Sequence, residues 1–283
     1  MMLSGAAKLA GVMGWPVAHS RSPRLHGFWL ARYGIDGAYL PLPVRPENLE
    51  AALRSLPVLG FAGCNLTIPH KEAALALVDR LDPLAKRIGA INTVVVAPTG
   101  ELTGSNTDVF GFRENLLSAA KTWRANAGPA VVIGAGGAAR AALAVLAEGG
   151  APEIRLVNRS RDRAEALARV FGPSVTVIDW EKRAAALDGA SLLVNSTSLG
   201  MAGQPPLDLA LDDLPREAIV TDMVYVPLET PLLREARRRG NLAVDGLGML
   251  LHQGRPGFAA WFGVDPEVTA TQREAVLATM RTP

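Results

Sequence analysis

The sequence predicts an α/β protein of two domains, each organised on a mostly parallel sheet with helices against its faces. Short β-branched runs alternate with longer stretches rich in Ala, Leu, Arg and Glu from one end of the chain to the other, the succession expected of parallel strands and crossover helices. A strand, a glycine turn and an Ala-rich helix follow one another from Val131 onward, near the middle of the chain. A length of 283 residues also exceeds one average domain, which holds roughly 150 residues.

In the first third, Leu9–Met13, Ala38–Val44, Gly60–Leu66 and Ile91–Val96 read as strands. Pro23 stands at a first helical position after Ser22, and Glu47–Leu56 and Lys71–Leu81 carry apolar residues at helical spacing. Thr99-Gly100 lies between two β-rich runs and reads as a hairpin turn. A long helix is expected from Val109 to about Asn126, broken by Ala127-Gly128-Pro129. Beyond it, Val131–Ile133, Ile154–Val157, Val175–Ile178, Leu192–Asn195 and Ile219–Thr221 are β-branched runs separated by helical segments, the register of an open doubly wound sheet. Gly246–Met280 reads as two helices broken near Pro266. The expected divisions are 1–108, 109–245 and 246–283.

Composition narrows the function. Lys and Arg total 29 against 27 Asp and Glu, a balance that carries no footprint for nucleic acid or an anionic membrane. Cys64 is the one cysteine, which excludes a disulfide framework, and the four histidines lack the spacing of a metal motif, so no metal is expected. Lys8 interrupts the apolar start, Trp15-Pro16 stands where a cleavage region needs small residues, and no apolar run reaches transmembrane length. The expectation is a cytoplasmic protein without a membrane partner.

Gly134-Ala135-Gly136-Gly137-Ala138-Ala139 has the G-x-G-x-x-A spacing of a dinucleotide turn. Gly134 permits the tight turn, Gly136 lets the backbone approach a pyrophosphate, and Ala139 keeps the helix close to the sheet. The next strand ends in Asn158-Arg159-Ser160-Arg161-Asp162-Arg163, with no carboxylate at its tip to hold a ribose 2′-hydroxyl. Guanidinium groups there pair with a 2′-phosphate instead, so the expected cofactor is NADP, clamped by Arg159 and Arg163.

Four polar segments fall at or just past strand ends, where open α/β sheets bind ligands. They are His19–Pro23, Asn65–Lys71, Asn92-Thr93 and Asn106–Asp108. Hydroxyls, carboxamides, one ammonium and one carboxylate suit a small polyol acid. Each piece also has a plainer reading. Ser22 and Asp108 can cap helices, Asn65 and Asn92 can serve turns, His19 and His26 can be structural, and Cys64 can be a small core residue.

Taken together, these segments resemble the shikimate dehydrogenase family. The resemblance runs from Gly14 to about Gly263 and rests on eight ordered motifs. Gly14–His26, Gly63–Lys71, Gly89–Thr93 and Gly104–Asp108 come first; Asn158–Ser160, Asn195–Ser198, Asp222–Tyr225 and Gly246–Gln253 follow. Leu66 in Asn-Leu-Thr, Gly27 after His26 and Val226 after Tyr225 depart from the commoner pattern without removing a reacting group.

The resemblance implies an N-terminal substrate domain, a Rossmann-like NADP domain and C-terminal helices that return to the first domain. It implies that Ser20 and Ser22 bind a substrate carboxylate, and that Asn65, Thr67, Asn92, Tyr225 and Gln253 surround the ring. Lys71 and Asp108 become the catalytic pair. The cofactor set is the turn Gly134, Ala135, Gly136, Gly137 and Ala138, with Asn158, Arg159, Arg163, Thr197, Met223 and Gly246. The implied reaction is reversible reduction of 3-dehydroshikimate by NADPH, a step toward chorismate and the aromatic amino acids, in a monomer or homodimer. Two rivals are a quinate/shikimate dehydrogenase using NAD and a non-catalytic NADP-binding sensor. Ser20 and the arginines after Asn158 speak against the first; the joint presence of Lys71 and Asp108 speaks against the second.

Overall fold

The computed structural model describes residues 3–280 and divides into two compact units. One holds the residues up to Phe110 and from Leu250 onward; the other holds Gly111–Met249. No helix among the described residues is long and apolar enough to cross a membrane.

The first unit is built on strands β1 (Lys8–Gly14), β2 (Gly37–Pro43), β3 (Phe61–Leu66), β4 (Arg80–Leu81), β5 (Thr93–Val96) and β6 (Leu102–Ser105). Their spatial order is β2-β1-β3-β5-β6-β4. β1 runs parallel to β2 and β3, and β4 parallel to β6, while β5 is antiparallel to both neighbours. The expected hairpin produces that reversal: Ala97 N–H donates to the Glu101 carbonyl at 2.9 Å across Pro98-Thr99-Gly100. Helices α1 (Ser22–Arg32), α2 (Leu49–Ser55), α3 (His70–Ala73) and α4 (Pro83–Ile88) follow the strands, and the first turn of α5 (Asp108–Ala119) closes this part of the chain.

Two helices come out shorter than their periodicity suggests. The segment 71–81 is helical only to Ala76, counting a terminal 3-10 turn, and then becomes β4. Asp79 causes the switch: its amide donates to the Leu102 carbonyl, its carboxylate accepts from the Leu102 amide at 2.8 Å, and Arg54 pairs with it at 2.7 Å. Asp82 then caps α4, accepting from the amides of Leu84 and Ala85. The helix expected to reach Asn126 stops at Ala119. Ala125 bends back until a methyl on Gly149 would lie 2.5 Å from its Cβ, so packing overrides helical continuity.

The second unit carries β7 (Ala130–Ile133), β8 (Ile154–Val157), β9 (Val175–Ile178), β10 (Leu192–Asn195), β11 (Ile219–Asp222) and β12 (Leu242–Val244), all parallel, in the order β12-β11-β10-β7-β8-β9. This is the doubly wound arrangement, with its switch point between β7 and β10. Helices α6 (Gly137–Glu148), α7 (Arg161–Phe171) and α8 (Pro231–Arg239) cross over. The run of buried Ala on α6, from Ala139 to Ala144, lets that helix lie close to the sheet. β12 was not expected; three residues bounded by Asn241 and Asp245 give too little pattern to announce a strand.

The last helices are α9 (Leu247–Phe262) and α10 (Ala270–Ala278), separated as anticipated around Pro266. In the first unit Trp261 donates its indole N–H to the Val94 carbonyl at 3.0 Å. Gly63 makes room for this, since a methyl there would meet the Val94 oxygen at 2.0 Å. Trp29, Phe258 and Trp261 surround His26, which stacks on Tyr39 with ring centroids 3.9 Å apart. Neither nitrogen of His26 has a hydrogen-bond partner.

Burial lowers the His26 pKa to about 3, against 6.5 for a free histidine. Between those values the unfolded chain binds a proton that the folded chain refuses, so stability falls as pH drops below about 6.5. From pH 6.5 to 5 this one group should cost about 2 kcal/mol, read from the urea midpoint. His26→Phe keeps a stacked ring and should lose that part of the slope. A variant as acid-sensitive as the parent would place the effect elsewhere.

Candidate active site

In the first unit the polar segments converge at the ends of β3, β5 and β6. Lys71, in the first turn of α3, reaches Asp108 Oδ2 with its Nζ at 2.5 Å. Its backbone carbonyl accepts from the Ile91 amide, and the neighbouring His70 ring contacts the Val44 carbonyl at 2.8 Å, so the base of the lysine is held from two sides. Asp108 opens α5, where a negative charge is favoured by the helix dipole. Its amide donates to Asn106 Oδ1 at 3.0 Å, so Asn106 and not Asp108 caps this helix. The lysine side chain retains 21% exposure and the carboxylate 8%.

Asn92 joins the pieces. Its Nδ2 donates to Asp108 Oδ1 at 2.9 Å and to Gln253 Oε1 at 3.2 Å. Its Oδ1 accepts from the Thr107 amide at 2.7 Å and from the hydroxyls of Thr93 and Thr107, both at 3.1 Å. Asn65 donates both amide hydrogens, to the Asn92 carbonyl and to Thr93 Oγ1, each at 3.0 Å, and accepts from the Tyr39 hydroxyl at 2.6 Å. Both residues are buried, and neither serves a turn.

Counting hydrogens shows what this cluster still offers a ligand. Lys71 has two N–H bonds beyond the one given to Asp108, and Gln253 has one beyond its 3.1 Å bond to the Leu250 carbonyl. Asn92 has no donor left and Asn65 none, but the Asn65 oxygen keeps a lone pair. Ser20 accepts from the Ser22 amide at 3.3 Å. Ser22 is buried at the start of α1 without capping it. Thr67 is half-buried, its methyl against Gly14, with no hydrogen bond from its hydroxyl among the described residues. The set suits a ligand with an anionic group, several hydroxyls and an oxygen beside the ammonium.

Tyr39, Thr93, Thr107 and Asn106 complete the network without having been singled out individually. Tyr39 carried a readable signal, because a hydroxyl in an otherwise apolar strand must find a partner when buried. Cys64, alongside in β3, is fully buried with its thiol pushed up to about 12, an inert core group.

The second unit holds Tyr225 and the dinucleotide turn. Gly134 follows β7 with φ +112°, and its amide donates to the Val157 carbonyl at 2.8 Å. A methyl on Gly134 would stand 2.6 Å from Ser196 Oγ, whereas one on Gly136 would meet nothing within 4 Å. The space over Gly136 therefore lies open at the N-terminus of α6, where Gly137 and Ala138 present their amides, with Ala135 in the turn itself. Asn158 closes the end of β8 by donating to the Ser160 carbonyl at 2.8 Å. Of the arginines that follow, Arg161 is engaged by Glu165 and Asp179. Arg159 and Arg163 are exposed and form no ion pair among the described residues. Asp162 lies in α7, not at the strand tip.

The loops beside this turn are pinned by Asp222. It accepts from Asn195 Nδ2 at 3.0 Å, the Val224 amide at 3.0 Å and Thr230 Oγ1 at 2.7 Å. Burial nevertheless raises its pKa, the three donors opposing that shift. Asn195 in turn accepts from the amide and hydroxyl of Thr197. Gly246 packs against the Met223 backbone so closely that a methyl would lie 2.4 Å from its carbonyl oxygen. An open phosphate cradle and two unpaired guanidinium groups fit a dinucleotide that bears an extra phosphate.

A family profile described as the shikimate dehydrogenase substrate binding domain matches residues 12–94, and one described as shikimate / quinate 5-dehydrogenase matches residues 117–201. The shikimate dehydrogenase (NADP(+)) of Paramagnetospirillum magneticum is 62% identical over 276 residues, covering 98% of this chain and all of that one. Shikimate 5-dehydrogenase of Thermus thermophilus, solved in complex with NADP(H) and shikimate, superposes with TM-score 0.85 at 40% identity, covering 96% of this chain and 99% of the other. Quinate dehydrogenase of Corynebacterium glutamicum, solved with NAD, superposes with TM-score 0.89 at 32% identity over the same shares.

Gly134→Ala tests the turn. The added methyl meets Ser196 at a backbone angle unfavourable for alanine, and should lower stability by about 2–3 kcal/mol, measured by chemical denaturation. Parent-like stability would mean that the turn has no need of glycine.

Proposed function

The chain belongs to the shikimate dehydrogenase family, and on that premise we propose that Lys71 and Asp108 are the catalytic pair of an NADP-dependent oxidoreductase that reduces 3-dehydroshikimate reversibly to shikimate. The step lies on the route to chorismate and the aromatic amino acids. The observation that carries the residue assignment is the 2.5 Å contact of Lys71 with Asp108, braced by Asn92. It leaves a half-buried ammonium with two free N–H bonds.

NADPH, when bound, supplies the hydride that reduces the ring carbonyl. The protein stabilises the charge that develops on the carbonyl oxygen and delivers a proton to it. Lys71 does both: its ammonium concentrates positive charge at that oxygen and donates a proton from Nζ. In the oxidative direction the neutral amine takes the proton from the shikimate hydroxyl. Asp108 holds Nζ in place. Ser20 and Ser22 bind the substrate carboxylate. Asn65, Thr67, Asn92, Tyr225 and Gln253 bound the ring, with Asn65 accepting and Gln253 donating.

Gly134–Ala138 would hold NADP, the amides at the α6 N-terminus taking its pyrophosphate. Arg159 and Arg163 would take the 2′-phosphate, and Asn158, Thr197, Met223 and Gly246 would shape the surrounding loops. A chain whose one thiol is buried and inert suits the reducing cytoplasm.

The test is nicotinamide absorbance with shikimate or quinate, each offered with NADP or NAD. Turnover confined largely to shikimate with NADP is expected, and preference for quinate or NAD would overturn the specificity assigned to Ser20 or Arg159. Lys71→Ala should lower kcat by about 10²–10⁴ while leaving NADP affinity near normal; near-parental turnover would remove Lys71 from the chemistry. Arg159→Ala should weaken NADP by about tenfold or more and leave NAD unchanged. Equal weakening of both would take Arg159 out of the clamp.

A further inference from the structure

We propose that Tyr39 is a positioning residue for this reaction: its buried phenol holds Asn65, a side chain that meets the substrate, in one fixed hydrogen-bonding arrangement. The inference rests on the substrate assignment above and concerns a residue behind the site.

Tyr39 lies on β2, buried, with its ring stacked nearly parallel on His26 at an interplanar angle of 4°. The stack fixes where the hydroxyl points. That hydroxyl donates to Asn65 Oδ1 at 2.6 Å, a short bond in a site closed to water. Burial raises the phenol's pKa well above its usual value, so the group remains a donor at any working pH. That one donated proton therefore sets the polarity of the Asn65 oxygen.

Asn65 shows why this matters. Its two N–H bonds go to the Asn92 carbonyl and Thr93 Oγ1, and the phenol occupies one lone pair of its oxygen. It can meet a substrate hydroxyl solely as an acceptor, through the remaining lone pair. Without the phenol, the Asn65 oxygen loses its buried partner, the carboxamide is free to rotate toward whatever satisfies it, and the substrate must bind an unprepared site.

His26 separates packing from hydrogen bonding, because it supports the Tyr39 ring while neither of its nitrogens bonds to the network. The experiment is steady-state kinetics of the full-length protein, Tyr39→Phe and His26→Phe, with shikimate and NADP. It is repeated with shikimate analogues that each lack one ring hydroxyl, and unfolding midpoints are recorded alongside. Tyr39→Phe should raise KM for shikimate about tenfold, change kcat by less than about threefold and leave KM for NADP alone. His26→Phe should retain the parental constants. The parent should also penalise one deoxy analogue more than Tyr39→Phe does, identifying the hydroxyl that Asn65 receives. Parental constants in Tyr39→Phe would overturn the proposal. So would a uniform penalty across all analogues, or a joint loss in kcat and both KM values, each of which marks a purely structural residue. A parent protein inert toward shikimate would instead overturn the substrate assignment, and the proposal with it.

Discussion

The first unit depends on one buried carboxamide. Asn92 engages all of its hydrogen-bonding atoms at once, with its backbone carbonyl accepting from Asn65 and from the Leu66 amide at 2.8 Å. Through those bonds it fixes the end of β3, the turn into α5 and the part of α9 that carries Gln253. Asn92 holds Lys71 only indirectly, by way of Asp108, which suits the proton transfer proposed for it. An ammonium that must give up a proton needs a firm partner on one side and freedom on the other. Removing the amide from this hub would leave a buried carboxylate and a buried carbonyl short of donors, which costs more than the mean value of a hydrogen bond.

The second unit solves the same problem with the same chemistry. Asn195 and Asp222 end adjacent parallel strands, and their side-chain bond ties two loops together as Asn92 and Asp108 do. The carboxylates differ in surroundings. Asp108 meets an ammonium, whereas Asp222 is satisfied by neutral donors alone and has its pKa raised by burial. Charge is placed where the proposed reaction moves a proton, and neutral hydrogen bonds suffice where a loop merely has to stay in position. In both units the groups stand where strands end, Asn92 at the amino end of the antiparallel β5 and Asp108, Asn195 and Asp222 at or past carboxyl ends, because there the chain leaves the ladder and its polar atoms become available.

The fold was legible wherever a strand was buried on both faces or a glycine had no alternative. The five β-branched runs after Val131 and the turn at Gly134 needed no tertiary information, and the polar segments of the first third declared themselves by residue type. The errors have a common cause. Residues 74–81 have helical spacing, but Asp79 finds the Leu102 amide far along the chain and pulls the segment into a strand. Residues 120–126 continue a helical pattern, but Ala125 has a notch at Gly149 waiting for it. A local period cannot report a partner that is distant in sequence. Tyr39 belongs to the same class: its hydroxyl announced a need for a partner, and nothing local named Asn65.

The arginines after β8 show where residue type ends as an argument and placement begins. Arg159, Arg161 and Arg163 are equivalent as letters, and any pair of them could form a phosphate clamp. α7 makes them different. Arg161 is the first residue of the helix, where Glu165 stands one turn ahead and Asp179 approaches from beyond β9, so its charge is already compensated. Arg159 precedes the helix and Arg163 lies on a face with no carboxylate to meet it. Pairing the middle guanidinium with two acids leaves two uncompensated charges flanking the helix N-terminus, whose own partial charge has the same sign. That concentration of positive potential is unfavourable until an anion arrives. In the proposed clamp, selectivity for the extra phosphate thus comes as much from the acids that occupy Arg161 as from the arginines left without partners.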